Sequence, residues 1–343
     1  MNAKVAVLTA PETLEIEERP VDPGDGEVLV KVSECGICGS DLKMYSGKHP
    51  VLKPPLVMGH EFFGTVEEVG SGVPDGPALE HGALVTIVPP IGCGHCYNCL
   101  RELPYLCEQM VFVGGQLQGG LSELVPVPSD NLLAVDPAIP AELRVLIEPL
   151  TVGVHAARRG AAVAGDQVLI IGAGPIGVFT ALALRHRGVE EIVLADLSDQ
   201  RLELARRLGA GETVNSSAVE LTDYIREAMR PEGVDVAFEC VGSGATAAQA
   251  LASTCKGGRA VLVGIAPEEL AVDGVTLQRG ERSLVGVQMY ERDDFHEAMA
   301  ILAGGGVEPS PDLFEQFELT DVAHAFSTLK QGPAGSLKTV VRM

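Results

Sequence analysis

The chain has 343 residues with 25 Lys plus Arg against 47 Asp plus Glu, a formal net charge of −22, so nucleic acid should be repelled and is not expected as a partner. Its 46% apolar and 21% charged residues lie near globular averages and exclude a disordered or collagen-like chain. At roughly 150 residues per domain the length suggests about two domains. No run of about 20 apolar residues marks a membrane span, and the first ten residues lack the basic flank and long apolar stretch of a signal peptide. A cytoplasmic protein with small-molecule partners and no membrane partner is expected.

From Met1 to about Val127, short β-branched runs such as 28–32 and 64–69 alternate with Pro/Gly turns, the texture of an irregular all-β domain with long loops. Two short segments in it carry chemistry-bearing residues: Cys35-Gly36-Ile37-Cys38-Gly39-Ser40-Asp41 and Gly59-His60-Glu61. A third, Glu148-Pro149-Leu150, follows later. A soft thiolate, an imidazole and a carboxylate suit a catalytic zinc with an open position. Taken singly, they also read as a buried cysteine, a hydrogen-bonded histidine and a helix-start glutamate, and spacing alone does not join them.

Between the last two segments, Cys93, Cys96, Cys99 and Cys107 form Cys-x2-Cys-x2-Cys-x7-Cys in a Gly/Pro-containing loop. In an intracellular chain of this size, clustered cysteines more often hold metal than form disulfides. Four thiolates this close can close a tetrahedral shell around one structural zinc. An iron–sulfur cluster or free core cysteines are the competing readings, and His95 inside the loop is a bystander.

From about Ala164 the pattern becomes apolar strand, glycine turn, helix, repeated. Residues 168–171, 192–195, 234–238, 260–263 and 284–287 are short buried-strand candidates, and 200–208 and 245–254 carry helical character. Strand alternating with helix implies a parallel sheet with right-handed crossovers. Gly172-Ala173-Gly174-Pro175-Ile176-Gly177 follows the first of these strands and opens a helix. There the first Gly makes the tight turn, the second lets backbone approach a pyrophosphate, and the third lets helix and strand pack closely. Asp196 ends the next strand, near the spacing expected of a carboxylate that binds the adenosine ribose hydroxyls, which favours NAD over NADP. Arg201 and Arg206 follow on the next helix and leave room for NADP tolerance. The tail from about Asp293 carries two helical patterns, 295–302 and 320–329, and a strand candidate at 338–341.

The order Cys-Gly-Ser-Asp, Gly-His-Glu, four-cysteine knuckle, Glu-Pro-Leu-x-Val-Gly-x-His, Gly-x-Gly-Pro-Ile-Gly and strand-end Asp resembles the zinc-dependent medium-chain dehydrogenase/reductase (alcohol dehydrogenase) family. It is most similar to the sorbitol (polyol) and threonine dehydrogenase branch. The resemblance implies an α/β fold in which a Rossmann domain, a doubly wound parallel sheet over 151–289, is inserted in a chaperonin-10-like (GroES-like) mainly-β catalytic domain. That domain would be built from 1–150 and 290–343, with a structural zinc lobe at about 90–110. It implies two zinc ions per subunit. The catalytic one would sit on Cys38 and His60, with Glu61 as a direct or switching ligand and Glu148 as a ligand either direct or through water.

The activity implied is reversible oxidation of a secondary alcohol or polyol to a ketone with NAD, Ser40 taking the alcohol proton. Lys43 departs from the family, many members of which carry His there as the last relay to solvent. It could shuttle protons, hold an anionic substrate group or face solvent, and His49 is a candidate replacement. Met289 stands where polyol dehydrogenases often present Arg, which weakens sorbitol as the substrate. Threonine, butanediol, a cyclitol or an aminocyclitol is the alternative substrate, and a redox-inactive nucleotide-binding protein the remote one. A homodimer or homotetramer is implied, with 284–288 as a pairing edge.

Overall fold

The strand Glu27–Gly36 buries Val28, Leu29, Val30 and Val32, and this β-branched run lies at the centre of the first sheet. The computed structural model describes residues 1–76, 79–265, 269–332 and 335–343. In it the chain forms two units, Met1–Glu148 with Pro309–Met343, and Pro149–Glu308.

The seven-stranded sheet of the first unit runs in the order Phe314–Glu318, Lys338–Arg342, Glu27–Gly36, Glu61–Val69, Leu84–Ile87, Leu132–Ala134, with Leu124–Pro128 also paired to Glu27–Gly36. Val30, Val32, Phe62, Val85, Ile87 and Val341 belong to one buried cluster, each worth about 1.5–3 kcal/mol against exposure. Register decides which polar residues meet at one end of this sheet. Gly36 faces Glu61 on one side and Val340 on the other. Lys338, two residues before Val340, therefore reaches the same place as Glu61.

The second unit contains a six-stranded parallel sheet in the order Glu212–Asn215, Glu191–Asp196, Gln167–Ile171, Val234–Glu239, Thr254–Leu262, Ser283–Gly286. This is the 3-2-1-4-5-6 order of a dinucleotide-binding fold, reversing direction beside its first strand. Val168, Leu169 and Ile170 are wholly buried, as expected of a central strand covered on both faces. The doubly wound parallel sheet and the mainly-β unit expected from the sequence are both present.

Some local readings differ. The strand Glu212–Asn215 and the helix Leu221–Ala228 had no sequence expectation, and the strand candidates 260–263 and 284–287 end at Leu262 and Gly286. The helix Arg292–Ala303 lies within the second unit. Its Asp294 carboxylate accepts from Glu291 N–H at 2.7 Å and lies 2.8 Å from His155 Nδ1, joining it to the helix Ile147–Gly160.

Candidate metal centre and nucleotide loop

Cys38 stands at the start of the helix Gly39–Tyr45. Asp41, on the first turn, accepts the Cys38 N–H at 2.8 Å through Oδ2, the geometry that stabilises a helix start. Its other oxygen lies 3.5 Å from His60 Nδ1. Asp41 is wholly buried, so this carboxylate fixes the cysteine backbone and the histidine ring together, the kind of outer contact that orients metal ligands.

One ligand atom from each of Cys38, His60 and Glu61 lies within 4.8 Å of the others. Glu148 is buried as well but falls outside that group. Burial pushes His60 toward neutrality, yet Asp41 and Cys38 beside it prevail and raise its pKa well above the usual histidine value. Asp41 Oδ1 and His60 Nδ1 are buried with no hydrogen-bond partner, while Glu61 Oε2 has only the Lys338 ammonium beside it. A sulfur, a ring nitrogen and buried carboxylate oxygens, some of them unsatisfied and all drawing positive charge, form a donor set that fits zinc.

Glu61 already has one cationic neighbour. Lys338 Nζ lies 2.6 Å from both carboxylate oxygens and donates to Oε1. Burial pushes the Lys338 pKa down, but Glu61, Cys38 and Glu148 outweigh it and leave the ammonium above its usual value. The contact needs glycine at position 36, where a Cβ would lie 2.2 Å from Glu61 Oε2 and 3.1 Å from Lys338 Cε. Neither Lys338 nor the bridging place of Asp41 has a local sequence signal. Only the register Gly36↔Glu61 and Val340↔Gly36 reveals the lysine.

Ser40 is half-buried on the first turn of the helix Gly39–Tyr45, and Lys43 is exposed one turn later. Residues i and i+3 share a helix face. His49 Nδ1 accepts the N–H groups of Val51 and Leu52 at 3.3 and 2.9 Å, so that nitrogen is occupied locally. Met289 adopts left-handed backbone, φ 48°.

Cys93, Cys96, Cys99 and Cys107 also converge within 4.8 Å. Backbone N–H groups of Cys93 and Gln109 donate to Cys107 Sγ at 3.3 Å, and Cys99 N–H to Cys96 Sγ at 3.5 Å. The Cys99 N–H is the main reason that the Cys96 thiol is pulled down to about 6, while burial pushes the Cys99 thiol up to about 11, so a bound cation would be needed to hold both as thiolates. His95 turns to the Cys93 carbonyl at 2.8 Å, away from a ligand role.

In the second unit the glycine loop leads into the helix Pro175–His186, with Gly174 as its N-cap and Pro175 at the first position, a position proline suits. Gly172 and Gly177 are so close that a Cβ on Gly177 would lie 1.8 Å from Gly172 O. Asp196 grips the loop from the next strand, Oδ2 accepting Ala173 N–H at 2.8 Å and Oδ1 accepting Ser198 N–H at 3.0 Å. Ser198 in turn caps the helix Asp199–Arg207, which carries Arg201 to within 3.7 Å of Asp196. Glu239, unmarked in the sequence, is buried beside this loop and accepts from Val241 N, Gly242 N and Thr246 Oγ1 at 2.7–2.8 Å.

Residues 24–137 match the alcohol dehydrogenase GroES-like domain, and residues 175–304 match the zinc-binding dehydrogenase model. L-threonine 3-dehydrogenase of Streptomyces coelicolor is 33% identical over 317 residues, 92% of this chain and 92% of that protein. L-idonate 5-dehydrogenase of Vitis vinifera is 36% identical over 320 residues, 90% of this chain and 86% of that one. Among solved structures, a zinc-binding dehydrogenase from Sinorhizobium meliloti bound to NADP has a TM-score of 0.92 at 29% identity, covering 100% of both chains.

Proposed function

From a chain that belongs to the zinc-dependent medium-chain alcohol dehydrogenase family, and is an oxidoreductase of that family, we propose an NAD-dependent enzyme that reversibly oxidises a secondary alcohol or polyol to a ketone. The observation that carries this reading is the convergence of Cys38, His60 and Glu61 within 4.8 Å around buried, unsatisfied polar atoms. We assign the catalytic role to the first unit and cofactor binding to the second.

A zinc ion held by Cys38, His60 and Glu61 would supply Lewis-acid polarisation of the alcohol oxygen, lowering the pKa of its hydroxyl. Asp41 keeps His60 and the Cys38 backbone oriented for that ligation. Glu61 has a second option, the Lys338 ammonium, so it can bind metal or be neutralised by lysine. The burial of Glu148 and its influence on Lys338 support a role as a charge-balancing neighbour that would reach the metal through water. Ser40 accepts the alcohol proton, and Lys43 presents an ammonium, a point charge better suited to holding an anion than to taking a proton. The four-cysteine lobe holds a second, structural zinc, since four thiolates leave no open position.

A nicotinamide dinucleotide would accept the hydride. Gly172, Gly174, Pro175, Ile176 and Gly177 offer backbone and a helix start to its pyrophosphate, and Asp196 the ribose contact. NAD is favoured because the Asp196 carboxylate is fixed by two backbone N–H groups, where a 2′-phosphate would meet negative charge. Arg201 beside it and the NADP bound by the Sinorhizobium meliloti relative weigh the other way. Side-by-side titration should give tighter NADH than NADPH, with the preference narrowing in Asp196→Asn, and tighter NADPH by wild type would overturn the assignment.

A homodimer formed through the edge strand Ser283–Gly286, on which Leu284 is 37% exposed, is the proposed assembly. Light scattering that finds only monomer would remove it. Among the described residues no helix is long and apolar enough to cross a membrane. The eight free cysteines support a reducing, cytoplasmic compartment. Threonine, a vicinal diol or a cyclitol is the second substrate reading, favoured by the likeness to threonine 3-dehydrogenase. The test is a panel of these alcohols at alkaline pH, following NADH absorbance with wild type and Cys38→Ser. Turnover on one class, abolished in the variant, is expected, and NAD binding without turnover on any class would refute the reading.

A further inference from the structure

In a chain of net charge −22, the stretch between Asp41 and Glu61 contains no acidic residue, yet it carries Lys43, Lys48, Lys53 and His49. The fold gathers these groups. The Lys43 carbonyl accepts the N–H groups of Lys48 and His49 at 2.9 and 3.1 Å, bending the loop back onto the end of the helix Gly39–Tyr45. Lys53 Nζ donates to the carbonyls of Gly47 and His49 at 3.1 and 2.9 Å. His49 has a lowered pKa because of its burial and then because of Lys43 and Lys53, so both charges bear on one spot.

None of the three ammonium groups enters an ion pair among the described residues, where pairs such as Lys330–Glu12 and Lys338–Glu61 are present. Glu12, whose backbone N–H donates to the Tyr45 carbonyl at 2.7 Å, is the partner of Lys330 at 2.6 Å. Lys43, Lys48 and Lys53 are all exposed.

This loop is tied to the candidate metal centre. A Cβ on Gly115 would lie 2.8 Å from Leu52 Cδ1 and 3.3 Å from Phe112 Cδ1, so Leu52 and Phe112 meet over the same glycine. Phe112 in turn lies 5.0 Å from the His60 ring, centroid to centroid. On the other side, Lys43 follows Ser40 by three residues on one helix, which puts their Cβ atoms about 5–6 Å apart. A positive charge one turn from the proposed proton acceptor is within the span of one small substrate. Three like charges without anionic partners among the described residues repel one another, an arrangement that an anionic ligand relieves. Because the Debye length is about 8 Å at physiological salt, these near cations outweigh the distant negative surface.

We propose that the alcohol oxidised at this site carries an anionic group, a carboxylate or a phosphate, bound by Lys43 and Lys48 while Lys53 stiffens the loop between them. The proposal rests on the dehydrogenase reading of the same site. It places the substrate among hydroxy acids, sugar acids and phosphorylated polyols rather than neutral polyols.

The test uses zinc-loaded full-length protein with NAD and a matched set: a neutral hexitol, the corresponding hexonate and the hexitol phosphate, with four-carbon counterparts. The expected result is a kcat/KM at least tenfold higher for one anionic member than for its neutral partner, with an advantage that shrinks as salt rises. Lys48→Met and Lys43→Met should each lower that ratio about fivefold or more, mainly through KM, and Lys48→Arg should restore it. The hexonate and phosphate arms distinguish the two anions. Equal or better turnover of the neutral member, still abolished by Cys38→Ser, overturns the anion site and leaves the dehydrogenase reading standing. Turnover of no member overturns both.

Discussion

Replacing Lys338 by Met keeps a long unbranched stem in the strand Lys338–Arg342 and deletes the charge that faces Glu61. The two side chains are 4% and 1% exposed and lie 2.6 Å apart. At an effective dielectric of ~20, so short a contact amounts to about 6 kcal/mol of attraction before desolvation is counted. Deleting one member of a buried pair strands the other charge and typically costs about 3–5 kcal/mol. With a urea slope of ~2–3 kcal/mol per M, Lys338→Met should lower the unfolding midpoint of metal-free protein by about 1–2.5 M. The chain has no tryptophan, so far-UV circular dichroism is the signal, and the transition to follow is that of the first unit. Adding Glu61→Gln removes the stranded charge, and the double variant should regain at least ~2 kcal/mol over Lys338→Met. A midpoint for Lys338→Met within ~0.3 M of wild type, or a double variant no more stable than the single, refutes the view of this pair as buried and mutually neutralising.

Gly177→Ala puts a methyl 1.8 Å from a backbone oxygen; NADH affinity by fluorescence titration should fall at least tenfold, and an unchanged affinity would mean that this turn is not the phosphate cradle. Burial pushes the Asp235 carboxyl up, but the Gln167 N–H and the Arg230 guanidinium hold it below its usual 3.8. A depressed folded pKa gives stability that is present above the unfolded value and lost as pH falls through the folded one. The pair is partly exposed, so wild type should exceed Asp235→Asn by only ~0.5–1 kcal/mol near neutrality. That gap should close below pH 3.8, and a gap indifferent to pH would contradict it. Cys99→Ser should lose about one zinc per chain by elemental analysis and speed amide exchange across the cysteine lobe. Full zinc retention would show that the four thiolates are not a closed site.

What could be read in advance followed the range of each signal. The glycine loop, the buried strands at 168–171 and 234–238 and the cysteine spacing are local patterns, and local patterns survive folding. The strand Glu212–Asn215 escaped because its four residues bury only Val214, too little for a period to show. Lys338 escaped for a different reason. It meets Glu61 across 277 positions, and a lysine in a late strand looks like any solvent-facing cation until sheet register brings it beside Gly36. Asp41 was visible as a motif letter, but its bridge between the Cys38 N–H and His60 depends on the Gly59 turn and the helix start coming together. Glu148 was expected among the ligands from resemblance, and its position outside the three-residue group is a matter of packing that no spacing records.

The strand Lys338–Arg342 lies between Glu27–Gly36 and Phe314–Glu318, yet along the chain it follows all of Pro149–Glu308. During synthesis, Cys38, His60 and Glu61 therefore leave the ribosome well before the lysine that neutralises them. Until that strand arrives, Glu27–Gly36 lacks one neighbour and offers an open edge to other chains. Closing so long a loop adds little cost beyond that of a shorter one, because the entropy grows only with the logarithm of its length. A product broken off within Pro149–Glu308 would hold the cysteine, histidine and glutamate together with an uncompensated carboxylate and a bare strand. Order of emergence thus makes completion of the polypeptide a condition for a charge-balanced centre.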